Sequence, residues 1–270
     1  MEGTPLLSLR ISVQYPQKPD VLRDLALHVY EGEILGLVGQ SGCGKSSLAL
    51  AILKLLHLKH GRAEGHLYFK GRDLMQLPER DMRTLRGREI GLVLQSPMSA
   101  LNPALRIGTQ LEEAWRVHRV GSKEECLQCV LQTLDEVSLP AEKDFLRRYP
   151  SQLSVGQAQR VLIAMAVIHR PALLIADEAT SALDIITQSE ILQLFSALRR
   201  KLGMSILYIS HELLAVATIC DRIAVMDQGQ ILECDETASI FSNPGHPYTR
   251  ALIGALPASP VMAATAASSR

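Results

Sequence analysis

The chain has no net charge: 28 lysines and arginines balance 28 aspartates and glutamates over 270 residues. That removes the long-range field that would attract nucleic acid or an anionic membrane surface. Long apolar runs are missing too. The longest, Val161 to Ile168, falls far short of the ~20 residues that span a bilayer. The start lacks the basic-then-apolar pattern of a secretory leader. Cysteine is sparse, with Cys43, Cys126, Cys129, Cys220 and Cys234 lacking the spacing of a disulfide framework. Cys126 and Cys129 form a lone CxxC without a second ligand pair, so they read as a buried helical face and not as a metal or redox site. From these absences a soluble, cytosolic chain is expected, long enough for one large α/β domain or two small ones.

What is present begins at residues 39–46, Gly-Gln-Ser-Gly-Cys-Gly-Lys-Ser, which fit the pattern G-x-x-x-x-G-K-S/T. The apolar Ile34–Val38 before them reads as a buried strand, and Ser47–Leu53 after them reads as a helix. A strand feeding a glycine-rich turn into a helix N-terminus aims main-chain N–H groups and the positive end of the helix dipole at one point. Gly39, Gly42 and Gly44 let the main chain wrap a phosphate without an intervening Cβ. Lys45 can reach β- and γ-phosphates, and the Ser46 hydroxyl suits Mg²⁺. The chain is therefore expected to bind a nucleoside triphosphate. Cys43, inside the loop beside a helix N-terminus, is expected to favour its thiolate and to be protected from alkylation by ATP.

Leu9–Tyr15 and Leu25–Val29 alternate like strands, with Pro16–Asp20 as the expected turn. His66–Phe69 and Ile90–Leu94 read as further strands. From Ile107 to about Tyr149 the pattern changes to helices with charged faces, broken near Gly121 and Pro140, as in a helical insert. Ser154–His169 is an apolar helix with Ser154 as N-cap. Leu173–Ala176 and Ser205–Ser210 are continuous apolar runs, expected of parallel strands buried on both faces, with a helix at Thr187–Leu202 between them. Arg222–Asp227 and Gln230–Cys234 flank Gln228-Gly229 as a hairpin. The alanine-rich tail Ala263–Arg270 is expected to be disordered.

A phosphate loop alone fits a kinase, a GTPase or many other nucleotidases. Leu173–Glu178 narrows the choice: an apolar strand ends in two carboxylates, with Asp177 suited to Mg²⁺ and Glu178 suited to deprotonating the attacking water. About twenty residues earlier, Leu153-Ser-Val-Gly-Gln157 opens the apolar helix. This segment resembles the LSGGQ signature of ABC ATPases. Asp177–Asp184 then resembles the Walker B pair and D-loop, His211 the switch histidine and Gln95 the Q-loop glutamine. Tyr15 lies where that family places an aromatic against adenine. The motifs follow the family's order over roughly residues 5–257.

The resemblance implies a P-loop α/β fold with a mostly parallel core sheet, an N-terminal antiparallel β subdomain and an inserted helical subdomain. One ATPase domain would fill residues 1–257, with core and β subdomain at 1–95 and 161–257, the helical part at 96–160 and a disordered tail at 258–270. ATP would be held by Tyr15, by Gly39, Gln40, Ser41, Gly42, Cys43, Gly44, Lys45, Ser46 and Ser47, and by Ser154, Gly156 and Gln157 of a partner subunit. Mg²⁺ would be served by Ser46, Gln95 and Asp177, with Glu178, His211 and Gln95 as the catalytic set. One loop and one signature cannot complete a site alone, so the chain must pair.

Leu85–Pro103 and Asn243–Arg250 resemble the peptide and nickel importer branch of the family, whose two ATPase subunits are non-identical. That implies a heterodimer with a second ATPase, two membrane permeases, an indirectly coupled extracytoplasmic binding protein and a peripheral seat on the cytoplasmic membrane face. Features of the D-type and F-type subunits are mixed here. Val155 replaces the first signature glycine, and Ala179 replaces the proline after Glu178. The absence of a cysteine-bearing extension after Pro257 raises the nickel reading. The rival is a non-transport ABC ATPase of DNA repair or translation, but the coiled coil, zinc module or tandem ATPase of such chains does not occur here.

Overall fold

The computed structural model describes residues 4–256, so the expected disordered tail lies outside the described residues. The strands are β1 (Leu7–Tyr15), β2 (Lys18–Val29), β3 (Ile34–Val38), β4 (Arg62–Phe69), β5 (Arg72–Asp73), β6 (Ile90–Val93), β7 (Leu173–Asp177), β8 (Ser205–Ser210), β9 (Arg222–Asp227) and β10 (Gln230–Glu236). The helices are α1 (Lys45–Ile52), α2 (Glu79–Leu85), α3 (Pro97–Ala100), α4 (Ile107–Arg116), α5 (Lys123–Glu136), α6 (Lys143–Leu146), α7 (Val155–Val167), α8 (Ile185–Leu202), α9 (Leu213–Ile219), α10 (Thr237–Ser242) and α11 (Pro247–Gly254). The described residues divide into two compact units, residues 4–76 with 207–256, and residues 77–206.

In the first unit, β2, β1, β4 and β5 form an antiparallel sheet in that order. Period-two patterning sets its register: Leu9 pairs with Leu27 and Leu67, and Ile11 with Leu25, so one face buries Leu7, Leu9, Ile11 and Val13. The expected turn at Pro16–Asp20 is shorter in the structure. Tyr15 pairs with Lys18, leaving only Pro16 and Gln17 outside the strands. Pro19 is tolerated because β2 is the edge of that sheet. In the same unit β3 runs parallel to β9, with Leu35 opposite Arg222, and β9 turns back into β10. Every residue of β3 is buried, which explains its unbroken apolar run.

In the second unit β6 and β7 pair in parallel, Ile90 against Leu173 and Val93 against Ala176. Helices α4, α5 and α6 occupy the stretch that reads as a helical insert, with breaks at Gly121 and Pro140. Helix α7 buries Ala158, Val161, Ile163 and Ala164. Ser154 caps it as expected, its hydroxyl accepting from the Gln157 amide while the Gln157 side chain accepts from the Ser154 amide. The short helices α2, α9 and α11 have no counterpart in the sequence reading, being too brief for a clear 3.6-residue period.

Candidate active site

The phosphate loop lies in the first unit, between β3 and α1. A Cβ added at Gly39 would lie 2.1 Å from the Met226 carbonyl oxygen, and one at Gly44, where φ is +115°, 2.9 Å from the Val21 carbonyl oxygen. The loop therefore closes only as bare main chain, the donor surface a polyphosphate needs. Lys45 is buried, and its ammonium donates to the carbonyls of Gly39 at 2.8 Å and Gln40 at 3.0 Å. The loop thus stores its cation inside its own curl. Ser46 is exposed, with its hydroxyl free to meet a cation from solvent, and Ser47 accepts from the Tyr15 hydroxyl at 3.1 Å. Tyr15 lines a cleft of about 650 Å³ with Gln14, Pro16, Pro19, His57 and His60. His211 follows β8 directly and is exposed.

Cys43 behaves differently from the expectation of a favoured thiolate. Burial pushes its thiol above the ordinary range, outweighing the opposing pull of Lys45, whose nitrogen lies 3.9 Å from the sulfur. The low-dielectric packing that seats Lys45 also disfavours a thiolate. Cys126 is buried as expected, and among the described residues no group of His, Cys, Asp and Glu could hold a metal by itself.

The second unit holds Asp177, Glu178 and Gln95. Strand β7 delivers Asp177 at its C-terminal end, and Glu178 follows with φ at +50°. The Gln95 amide nitrogen donates to the Ser181 hydroxyl at 3.0 Å, and Ser181 donates to the Glu178 carbonyl at 3.1 Å. Its own backbone N–H reaches the same carbonyl at 3.2 Å. Ala179, in place of the expected proline, is buried. Asp184 caps α8 by accepting from the amides of Ile186 and Thr187 and from the Thr187 hydroxyl. Those donors, led by the Thr187 amide, hold its carboxyl below the usual range.

Thr187 in turn explains Gly156. A Cβ there would come within 2.7 Å of the Thr187 methyl carbon, so the second signature glycine is required by the packing of α7 on the start of α8. Arg160 ties the same two helices through Glu190 at 2.9 Å. Val155 stands apart, 44 % exposed. Ser181, Thr187 and Arg160 were not singled out by sequence reasoning, because their roles depend on partners distant along the chain.

The ABC transporter family profile matches residues 22–181, more than half of the chain. The oligopeptide transport ATP-binding protein OppD of Salmonella typhimurium is 42 % identical over 236 residues, which cover 87 % of this chain and 70 % of that protein. This chain belongs to the ABC transporter family. ATP binding comes with that membership.

The glutathione import ATP-binding protein GsiA of Escherichia coli K12 is another relative of this ABC chain, 42 % identical over 251 residues. That match covers 91 % of this chain but 40 % of GsiA, so the chain spans well under half the length of that relative. The dimeric bacterial ABC transporter cassette MJ0796 superposes with a TM-score of 0.73 at 27 % identity, covering 86 % of this chain and 98 % of that one. CbiO1 of Clostridium perfringens shares the fold, with a TM-score of 0.77 at 23 % identity over 89 % of this chain and 92 % of that one.

Proposed function

We propose that this chain is the ATP-hydrolysing subunit of an importer that takes up di- or oligopeptides, or nickel, through separate membrane permeases. The observation that carries the reading is the hydrogen-bonded chain from Gln95 through Ser181 to Glu178, which ties the Q-loop to the carboxylate pair of one ATPase half. The names of OppD and GsiA support a peptide-like cargo over nickel. The residues form one ATPase domain with a helical insert at 96–160, completed by pairing with a second, non-identical ATPase subunit. The assembly sits at the cytoplasmic face of the membrane, with an extracytoplasmic binding protein coupled through the permeases and no role for nucleic acid. No helix of the described residues is long and apolar enough to cross a membrane.

The residues present fit ATP and Mg²⁺. Oxygen donors on Ser46, Asp177 and the oxygen end of Gln95 suit a hard divalent cation, and the Gln95 nitrogen end is already engaged by Ser181. Mg²⁺, when bound, supplies neutralisation of phosphate charge. Lys45 and the loop amides orient the β- and γ-phosphates, and Tyr15 offers its ring to the base. Glu178 takes the proton of the attacking water, held in place by a turn whose carbonyl accepts two donors from Ser181. His211 contacts the γ-phosphate, and the start of α7, with Ser154, Gly156 and Gln157, meets the nucleotide of the partner subunit. Separation of the paired halves withdraws that clamp and turns hydrolysis into motion.

Affinity capture of the chain from detergent-solubilised native membranes tests this. Recovery of two permeases and a second ATPase is the expected result; recovery with ribosomes or DNA and no membrane partner would overturn it.

A further inference from the structure

Tyr15 closes strand β1, and its ring is fixed from two sides. Its hydroxyl donates to Ser47 at 3.1 Å, two residues past Lys45 on α1, so the ring is tied to the helix that leaves the phosphate loop. The ladder of β1 with β4 ends at Gln14 opposite Arg62. The next positions, Tyr15 and Gly61, therefore stand across from each other at its open end. A Cβ added at Gly61 would lie 2.6 Å from Cε1 of Tyr15, 2.9 Å from Cδ1 and 3.2 Å from Cζ. One side of the ring thus rests on bare main chain, the way an aromatic covers a cross-strand glycine.

That glycine is itself held in place. The short 3₁₀ turn Leu56–Lys59 ends with His60 in the left-handed region at φ +57°. The His60 N–H donates to the His57 carbonyl at 3.0 Å and the Gly61 N–H to the Leu56 carbonyl at 2.9 Å, the paired bonds of a Schellman turn. Leu56 and Gly61 are both buried, so the turn is anchored where it meets the ring. Gly61 does not adopt a positive φ, so its backbone conformation does not call for glycine. The nearest atoms that exclude a side chain there all belong to Tyr15.

We propose that Gly61 is a positioning residue for nucleotide binding: together with the Ser47 hydroxyl it sets the Tyr15 ring as a finished platform for the base, at a fixed reach from the phosphate loop. This rests on the ATP site proposed above, with Tyr15 as the ring that meets the base. The ring lines the cleft of about 650 Å³ already described, which has room for a base. A tyrosine at a strand end has two side-chain torsions to lose. The Gly61 contact and the Ser47 bond restrict both before the nucleotide arrives, so binding does not have to order the ring. A Cβ at position 61 pushes the ring off its line to Ser47. The loss therefore falls on the nucleoside end and spares the phosphate contacts, which belong to residues 39–46.

The test is Gly61→Ala in the full chain, alone and combined with Tyr15→Ala. Kd is measured by calorimetric titration in Mg²⁺ buffer, well below each variant's Tm, for ATP and for inorganic tripolyphosphate, which has the phosphates without the base. Tyr15→Ala should raise the Kd for ATP roughly tenfold to hundredfold, the worth of one stacked base. Gly61→Ala should raise it roughly threefold to tenfold, a part of that stacking, and leave tripolyphosphate unchanged. Once Tyr15→Ala is present, Gly61→Ala should add nothing. Tyr15→Phe keeps the ring and loses only the Ser47 bond; it should raise the Kd for ATP roughly threefold, and it decides the matter if Gly61→Ala does not fold. An unchanged Kd for ATP in Gly61→Ala or in Tyr15→Phe overturns the proposal. So does an equal loss with and without Tyr15, or a parallel loss for tripolyphosphate, either of which would make Gly61 a packing residue only. If Tyr15→Ala binds ATP as tightly as the unaltered chain, the placement of the base on Tyr15 itself fails, a result separate from the others.

Discussion

Gln95 and Ser181, 86 positions apart, meet with the Gln95 amide nitrogen 3.0 Å from the Ser181 hydroxyl. Through Ser181 the contact continues to the carbonyl of Glu178, so the Q-loop and the residue proposed to activate water share one polar chain. Ser181→Ala is expected to cost about 1 kcal/mol of stability and to lower ATP hydrolysis several-fold. Because both side chains act through the same link, Gln95→Ala added to Ser181→Ala should cost much less than the sum of the two. A double-mutant cycle on phosphate release measures this; additive effects would break the proposed link.

Glu178→Gln removes the base but keeps the size and the turn at φ +50°. Hydrolysis should fall by about 10²–10⁴-fold, the usual worth of a positioned base, while ATP affinity is retained. Retained hydrolysis in a steady-state phosphate assay would move the proton acceptor elsewhere.

The two signature positions should respond differently, Gly156 in stability and Val155 in hydrolysis. Gly156→Ala drives a Cβ to 2.7 Å from the Thr187 methyl carbon, and Thr187 cannot rotate away without losing its bond to Asp184. We expect a loss of about 1–3 kcal/mol from overpacking, partly offset by the helix preference of alanine over glycine, about 1 kcal/mol. Val155→Gly deletes an exposed side chain at a helix start and should cost under about 1 kcal/mol. With less bulk facing the partner's nucleotide, hydrolysis by the paired ATPase should rise. Chemical denaturation and phosphate release report the two effects.

Alkaline pH should destabilise the chain through its buried thiols. Burial raises Cys220 well above the ordinary range, and it also raises Cys43, Cys126 and Cys234. The folded chain therefore keeps protons that the unfolded chain releases. Stability is fully present below the unfolded thiol pKa, about 8.5, and falls as pH rises above it toward the higher folded values. Tm measured from pH 7 to 10 should decline, and Cys220→Ala should flatten the decline. By the same reasoning Cys43 should react slowly with iodoacetamide at pH 7, and ATP should slow it further.

The sequence carried the local features well. The strand Ile34–Val38, the phosphate loop, the Ser154 cap and the hairpin at Gln228-Gly229 all rest on contacts between near neighbours, and periodicity reports those directly. Strand β2 began earlier than expected because an edge strand tolerates a proline that local rules count as a turn. Burial opposes the thiolate expected of Cys43: a helix N-terminus is visible in the sequence, whereas burial is not. Helix α11 left only a proline and a histidine cap as signals, too few to mark it.

By itself the sequence determined that this chain makes a phosphate loop, a strand ending in Asp177 and Glu178, and a capped signature helix. Each is specified by residue types at fixed short spacing: glycine where a Cβ cannot stand, serine where a helix needs an acceptor, carboxylates at a strand end. Only the tertiary structure decided that Gly156 answers to Thr187, that Gln95 reaches Glu178 through Ser181, and that Arg160 ties α7 to Glu190 on α8. The longest of those pairings joins residues 86 positions apart. A side chain's partner at that range is set by how the elements pack, which no short stretch of sequence contains.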